Sequence, residues 1–137
     1  MTLPEFQGEQ FEKGLKVRKE VLGEAYVNAS LAAADDLTAP LQKLVTEWCW
    51  GEIWTRQGLE RKTRSFLNLA MLTALNRPHE LKLHVRGAIN NGATEEEIVE
   101  VLLQAAVYCG VPAALDSMRV VAETIRDMRK EKTADAG

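Results

Sequence analysis

Between residues 59 and 76 the chain carries Leu59, Phe66, Leu67, Leu69, Ala70, Leu72, Ala74 and Leu75. Wound as a helix, this stretch is apolar nearly all round after Ser65. Such a helix belongs in the centre of a bundle or under another subunit. The rest of the chain must therefore supply amphipathic partners, and the segments that follow do. In RPHELKLHVRGAINNG, residues 77–92, Pro78 suits a first helical turn and Gly92 the position just past the end. Leu81, His84, Val85, Ala88 and Ile89 then share one face. Thr94 and Glu97 form a capping box for a helix over 95–109, with Ile98, Val101, Leu102, Ala105 and Ala106 on one side. Gly110-Val111-Pro112 breaks it. A last helix, about 112–130, carries Leu115, Met118, Val121, Ala122 and Ile125. The tail EKTADAG, 131–137, has the composition of a frayed, disordered terminus.

Upstream, Phe11, Leu15, Val17, Val21 and Leu22 mark an amphipathic helix over 8–22 that ends at Gly23. Residues 23–36 are small and polar; Ala32 to Ala34 could continue a short helix, which Asp35 and Asp36 interrupt. Thr38-Ala39-Pro40 reads as a helix start, a capping hydroxyl followed by Pro in the first turn. That helix is expected over 39–50, with Leu41, Leu44, Val45 and Trp48 on one face. WCWGEIWTRQGL follows, holding all three tryptophans together with Gly51 and Gly58, and is expected to be a break or turn. No segment alternates as a strand would. The expectation is an all-α, antiparallel helical bundle, one domain over 1–137 with its core at about 38–128. The apolar faces are numerous for 137 residues, which predicts that some are buried between subunits.

A net charge of −3, with basic residues interleaved with acids, shows no stripe that would track phosphates, so no nucleic-acid partner is expected. No run of about 18 apolar residues occurs, so no membrane span is expected. MTLPEFQGEQ lacks the basic-then-apolar pattern of a signal peptide, and a cytoplasmic location is the expectation. Cys49 and Cys109 are sixty positions apart, forming neither a disulfide framework nor a redox pair.

Two groups could carry chemistry. One is His84 with Glu80, one turn before it, and Arg86. A histidine on an apolar face can equally be a satisfied core residue. The other is Trp50-Gly51-Glu52-Ile53-Trp54-Thr55-Arg56, followed by Arg64. A carboxylate among indole rings is desolvated, which raises its pKa and suits it to carry a proton; equally, Glu52 could cap a turn or pair with Arg56. Arg61, Lys62 and Arg64 oppose the dipole of their helix and so invite carboxylate partners or an anionic ligand, although Arg61 and Lys62 are expected to be solvated. There is no GxGxxG, P-loop or GxSxG, and His79 with His84 makes no three-ligand metal set, so no cofactor and no metal are expected.

WGEIWTR (50–56), HVRGAINNG (84–92) and QAAVYCGVPAA (104–114) together resemble the 4-carboxymuconolactone decarboxylases. The resemblance spans about Trp48 to Ala114, and RKEVLG (18–23) and TAP (38–40) extend it. The last two of the three segments belong in looser form to the whole alkylhydroperoxidase D-like superfamily; the first points to the decarboxylases. The thiol peroxidases of that superfamily carry a Glu, two Cys and a His. Laid on this chain, those positions fall on Ser65, Arg77, Glu80 and His84, so only the His is kept. Without a thiol pair, peroxidase chemistry is lost.

The resemblance implies the alkylhydroperoxidase D-like helical fold and a homo-oligomer, a trimer or a hexamer of two trimers. It also implies a cofactor-free lyase that converts 4-carboxymuconolactone to 3-oxoadipate enol-lactone and carbon dioxide in the protocatechuate branch of aromatic catabolism. On that reading His84 is the general acid or the donor to the lactone oxygen, with Glu80 orienting its ring or raising its pKa. Glu52 carries the proton, tuned by Trp50 and Trp54. Arg64, and less directly Arg56 or Arg86, binds a carboxylate of the lactone dicarboxylate. The alternatives are a lyase of the same fold acting on another lactone or keto acid, a thiol-peroxidase relative, and a non-catalytic helical binding subunit.

Overall fold

Glycine, proline and one asparagine set most of the helix ends. The computed structural model describes residues 3–136, which are helical throughout their regular elements, with no strand among them. They divide into two compact units, one ending at Glu60 and one beginning at Arg61.

In the first unit, α1 (Glu9–Leu22) lies between Gly8 and Gly23, at φ 105° and 96°. The chain restarts at once as α2 (Glu24–Ala32). Composition alone leaves 23–36 as a mostly polar connection; the segment folds as a helix because Gly23 takes a backbone angle that favours glycine. Its apolar pattern is weak because only Val27 is buried. The start of α3 (Ala39–Leu44) also differs from expectation, since the Thr38 side chain does not cap it. Asp35 organises the turn instead. Its Oδ1 accepts from the Leu37 and Thr38 amides, each at 3.0 Å, and from the Thr38 hydroxyl at 3.2 Å.

From Val45 to Ile53 the helix widens to π geometry, with Gly51 buried inside it and not breaking it. α1 packs on this stretch closely enough that a Cβ on Gly14 would lie 1.8 Å from the Thr46 carbonyl oxygen. Gln10 Nε2 donates to the Glu47 carbonyl at 3.0 Å. Phe6 and Phe11 stack at 5.3 Å in a small core with Ala39. Leu41, Leu44 and Trp48, expected to mark a packed face, are exposed.

In the second unit, α4 (Arg61–Leu75) packs against α5 (Pro78–Asn90), α6 (Glu95–Cys109) and α7 (Val111–Ala136). Leu69, Leu81, Val85, Ala88, Ile98, Leu102 and Val121 form the centre of its core. α4 closes with Asn76 at φ 57°, and the Arg77 amide bonds back to the Leu72 carbonyl at 3.0 Å. α5 closes the same way on Gly92 at φ 93°, with the Ala93 amide on the Ala88 carbonyl at 2.9 Å. Both are Schellman closures. The Thr94–Glu97 capping box is present in both directions.

Within the described chain α4 is not covered on every side, since Leu67, Met71 and Leu75 are exposed. Two expectations change here. Lys62 pairs with Glu97 at 3.2 Å and is not simply solvated. The last helix continues to Ala136, past the frayed end expected at 131. Arg86 makes two 2.9 Å bonds to Glu131, and Arg129 grips Glu95 from α7. No helix among the described residues is long and apolar enough to cross a membrane.

Candidate active site

α4 and α5 bring four chemistry-bearing residues of the second unit to one neighbourhood. Arg64 and Asn68 are one turn apart on α4 and so lie on a common side of it. Glu80 and His84 are one turn apart on α5. Across the two helices, Asn68 Nδ2 lies 3.4 Å from His84 Nδ1. The imidazole is half-buried, and this decides its charge. Desolvation penalises the imidazolium and pushes the pKa down to about 4, outweighing the opposing pull of the Glu80 carboxylate. At neutral pH His84 is therefore uncharged. It can donate one hydrogen bond and accept one, but it does not stand ready as an imidazolium acid.

Arg64 is half-buried on the same helix. Next to Arg64, Ser65 is fully buried and accepts from Asn91 Nδ2 at 2.9 Å, which ties the end of α5 to the start of α4. Arg86 behaves differently from its neighbours. It is two positions from His84, so it leaves α5 on a different side, and Glu131 holds its guanidinium and raises its pKa. This engagement ties α5 to α7.

The other candidates belong to the first unit. Trp50 and Trp54 are buried and stack at 4.8 Å with 26° between their planes. Glu52 and Arg56 are exposed. The desolvation expected for Glu52 from its tryptophan neighbours is absent: Glu52 is two positions from both Trp50 and Trp54, so it leaves the helical stretch on the side away from the buried indoles. Glu52 lines an open groove of about 430 Å³ with Gln10, Lys13, Glu47 and Trp48. Cys49 is half-buried, and burial pushes its thiol pKa up against the opposing effects of Arg18 and a hydrogen bond from Trp54. That is the reverse of what a nucleophilic thiol needs. Cys49 and Cys109 are both free.

Reasoning from sequence missed two residues. Asn68 left a signal, as an amide in the most apolar helix, one turn from Arg64. Arg18 also left one, seven residues after Phe11 on the buried side of α1. It is only 5% exposed and donates to Gln42 Oε1 at 2.9 Å and Thr46 Oγ1 at 3.1 Å. Burial lowers its pKa. Among the described residues no group of three or more His, Cys, Asp or Glu side chains could hold a metal ion.

The sequence profile of the Carboxymuconolactone decarboxylase family matches residues 39–123. The chain belongs to that family. Two relatives extend the match over nearly the whole chain. A nitrosuccinic acid decarboxylase of Metarhizium robertsii is 50% identical over 93% of this chain and 89% of its own length. A 4-carboxymuconolactone decarboxylase of Acinetobacter baylyi is 41% identical over 88% of this chain and 90% of its own. Both relatives are decarboxylases, and the family that the three sequence segments resemble is the one that matches. The family assignment gives the all-helical architecture an enzymatic context, in which the neutral His84 and its α4 neighbours form the candidate reaction centre.

Proposed function

We propose that this protein is a cofactor-free carboxy-lyase that converts 4-carboxymuconolactone to 3-oxoadipate enol-lactone and carbon dioxide, in the protocatechuate branch of aromatic catabolism. The observation that carries the reading is an uncharged, half-buried imidazole beside Asn68 and one helix from Arg64, in a chain 41% identical to a 4-carboxymuconolactone decarboxylase. In this substrate the departing carboxylate sits on a carbon joined through C=C to the lactone carbonyl. When that C–C bond breaks, its electron pair runs through the alkene onto the carbonyl oxygen. Carbon dioxide leaves, a dienolate forms, and a proton added to carbon gives the enol-lactone. The lactone is its own electron sink, so the chain has to bind anions, donate to an oxyanion and deliver one proton.

His84 serves as the donor to the developing oxyanion. A neutral N–H aimed at such an oxygen is worth about 10²–10³ in rate. Arg64 holds a substrate carboxylate, a task suited to its fork of donors. Glu52 keeps the role of proton carrier as an exposed carboxylate in exchange with solvent, and Glu52→Gln tests that role by itself. The active form is an assembly of copies of this chain. Its free thiols fit a reducing compartment such as the cytoplasm.

A second reading rests on the 50% identity to a nitrosuccinic acid decarboxylase. A nitro group is also an electron sink: loss of carbon dioxide from the carbon that bears it leaves a nitronate, again with charge on oxygen. The same donor and the same cation would serve. Purified protein treated with EDTA should be given each substrate in turn, the lactone being generated in situ, and carbon dioxide release compared. A kcat/KM for the lactone at least tenfold above that for nitrosuccinate supports the first reading, and the inverse ratio supports the second. Absence of turnover on both overturns the decarboxylase assignment for these substrates.

A further inference from the structure

We propose that Asn68 is a positioning residue that fixes the tautomer of His84, holding the ring proton on Nε2 so that this N–H is the donor presented to the reaction. The inference rests on the reading of His84 as a neutral donor. It adds which nitrogen carries the proton and what keeps it there.

The geometry supplies the argument. The amide nitrogen of Asn68 lies 3.4 Å from Nδ1. An amide NH₂ can only donate. If Nδ1 also carried a proton, two donors would face each other across a half-buried contact. The Nε2–H tautomer is the form in which this contact becomes a hydrogen bond, with Nδ1 accepting. In histidine sites the proton on one ring nitrogen is commonly set by the bond the other makes. Asn68 is also placed to be held. It stands in α4 between Leu67 and Leu69, and Leu69 is fully buried. In this helix a polar amide costs free energy unless it finds a partner. Asp at this position would reverse the preference, since a carboxylate accepts and would draw the proton onto Nδ1.

The chain has two histidines, His79 and His84, so ring nitrogens labelled with ¹⁵N give two sets of signals, which a His79→Asn variant assigns. Two-bond ¹H–¹⁵N correlation spectra of the full-length protein at pH 7 read the tautomer directly, with no substrate present. The expected result is Nε2 protonated and Nδ1 unprotonated in the native protein. In Asn68→Ala the two tautomers should mix, and in Asn68→Asp the proton should move predominantly to Nδ1. Turnover should fall about 10–100-fold in both variants, the range seen when the group orienting a metal-bound histidine is removed. A native spectrum with the proton on Nδ1 overturns the proposal, and so does an Asn68→Asp protein that keeps it on Nε2. Since the native spectrum can sink the idea alone, a variant that fails to fold does not shield it. If the tautomer behaves as stated and no decarboxylation occurs, the catalytic reading fails and the positioning role stands.

Discussion

An imidazole that has been taken out of water behaves differently from one on a surface, and His84 allows the difference to be measured. Its pKa in the folded chain is about 4, against 6.5 for the free side chain. Between those values the unfolded chain binds a proton that the folded chain refuses. The neutral ring therefore imposes no penalty above pH 6.5, and stability is lost as pH falls from about 6.5 towards about 4. The gap corresponds to about 3 kcal/mol. Urea unfolding followed across that range should show the native protein losing about that much more stability than His84→Gln; parallel losses would mean that the ring is solvated. The same ionisation fixes the activity profile. A neutral donor keeps working down to about pH 5, so kcat/KM should show no step near 6.5 attributable to this ring. His84→Ala should lower kcat by about 10²–10³ with the fold intact. Near-normal turnover in that variant would remove His84 from the chemistry.

Glycine acts at the scale of whole elements when a neighbouring helix needs its missing side chain. α1 lies on the π-helical stretch so closely that a methyl group on Gly14 would sit 1.8 Å from a backbone oxygen, which cannot swing aside as a side-chain tip could. Gly14→Ala should therefore cost about 3 kcal/mol or more, at the upper end of overpacking penalties, and a melting curve followed by circular dichroism reads it as a lowered Tm. Unchanged stability would show that α1 is free to slide. This contact also shows why some of the fold was legible and some was not. The ends of α5 and α6 were readable because Pro78, Gly92, Thr94, Glu97 and Gly110 each act through their own backbone, within a few residues. The π stretch was not readable, because nothing local distinguishes the i→i+5 pattern: Gly51 looks like a breaker until Gln10 and Gly14, about forty residues earlier, are seen against it. The exposure of Glu52 was hidden for a related reason: once the stretch is helical and not a turn, a residue two positions from Trp50 and Trp54 faces away from them. His84 was legible as an odd residue in an apolar stripe, whereas its partner Asn68 lies sixteen residues away and needed the α4–α5 packing to find it.

At the scale of the molecule, many large hydrophobic side chains are left in water, and groups of them mark surfaces that meet a partner. Leu37, Leu41, Leu44 and Trp48 recur at helical spacing along α3 and into the π stretch, each more than half exposed. Leu103 and Val107 on α6 and Val111 and Leu115 on α7 form a second set, each also more than half exposed, with Tyr108 beside Val107 at 79% exposure. A closed homo-oligomer covers such stripes, by pairing one surface with itself across a two-fold axis or with a different surface of the next copy around a ring. Sedimentation of the native protein should therefore give a single species at a multiple of 15.3 kDa, a trimer or hexamer on the family resemblance. Placing a charge in the second stripe, as in Val107→Glu, buries an unpaired carboxylate only if the copies meet there. That variant should keep its helical circular dichroism and sediment at a lower mass. Assembly should also raise Tm with protein concentration in the native chain and much less in the variant, because mass action stabilises only what associates. A native protein that sediments at 15.3 kDa across the micromolar range would leave both stripes without a self-partner and would return the exposed tryptophan and leucines to the substrate or to another protein.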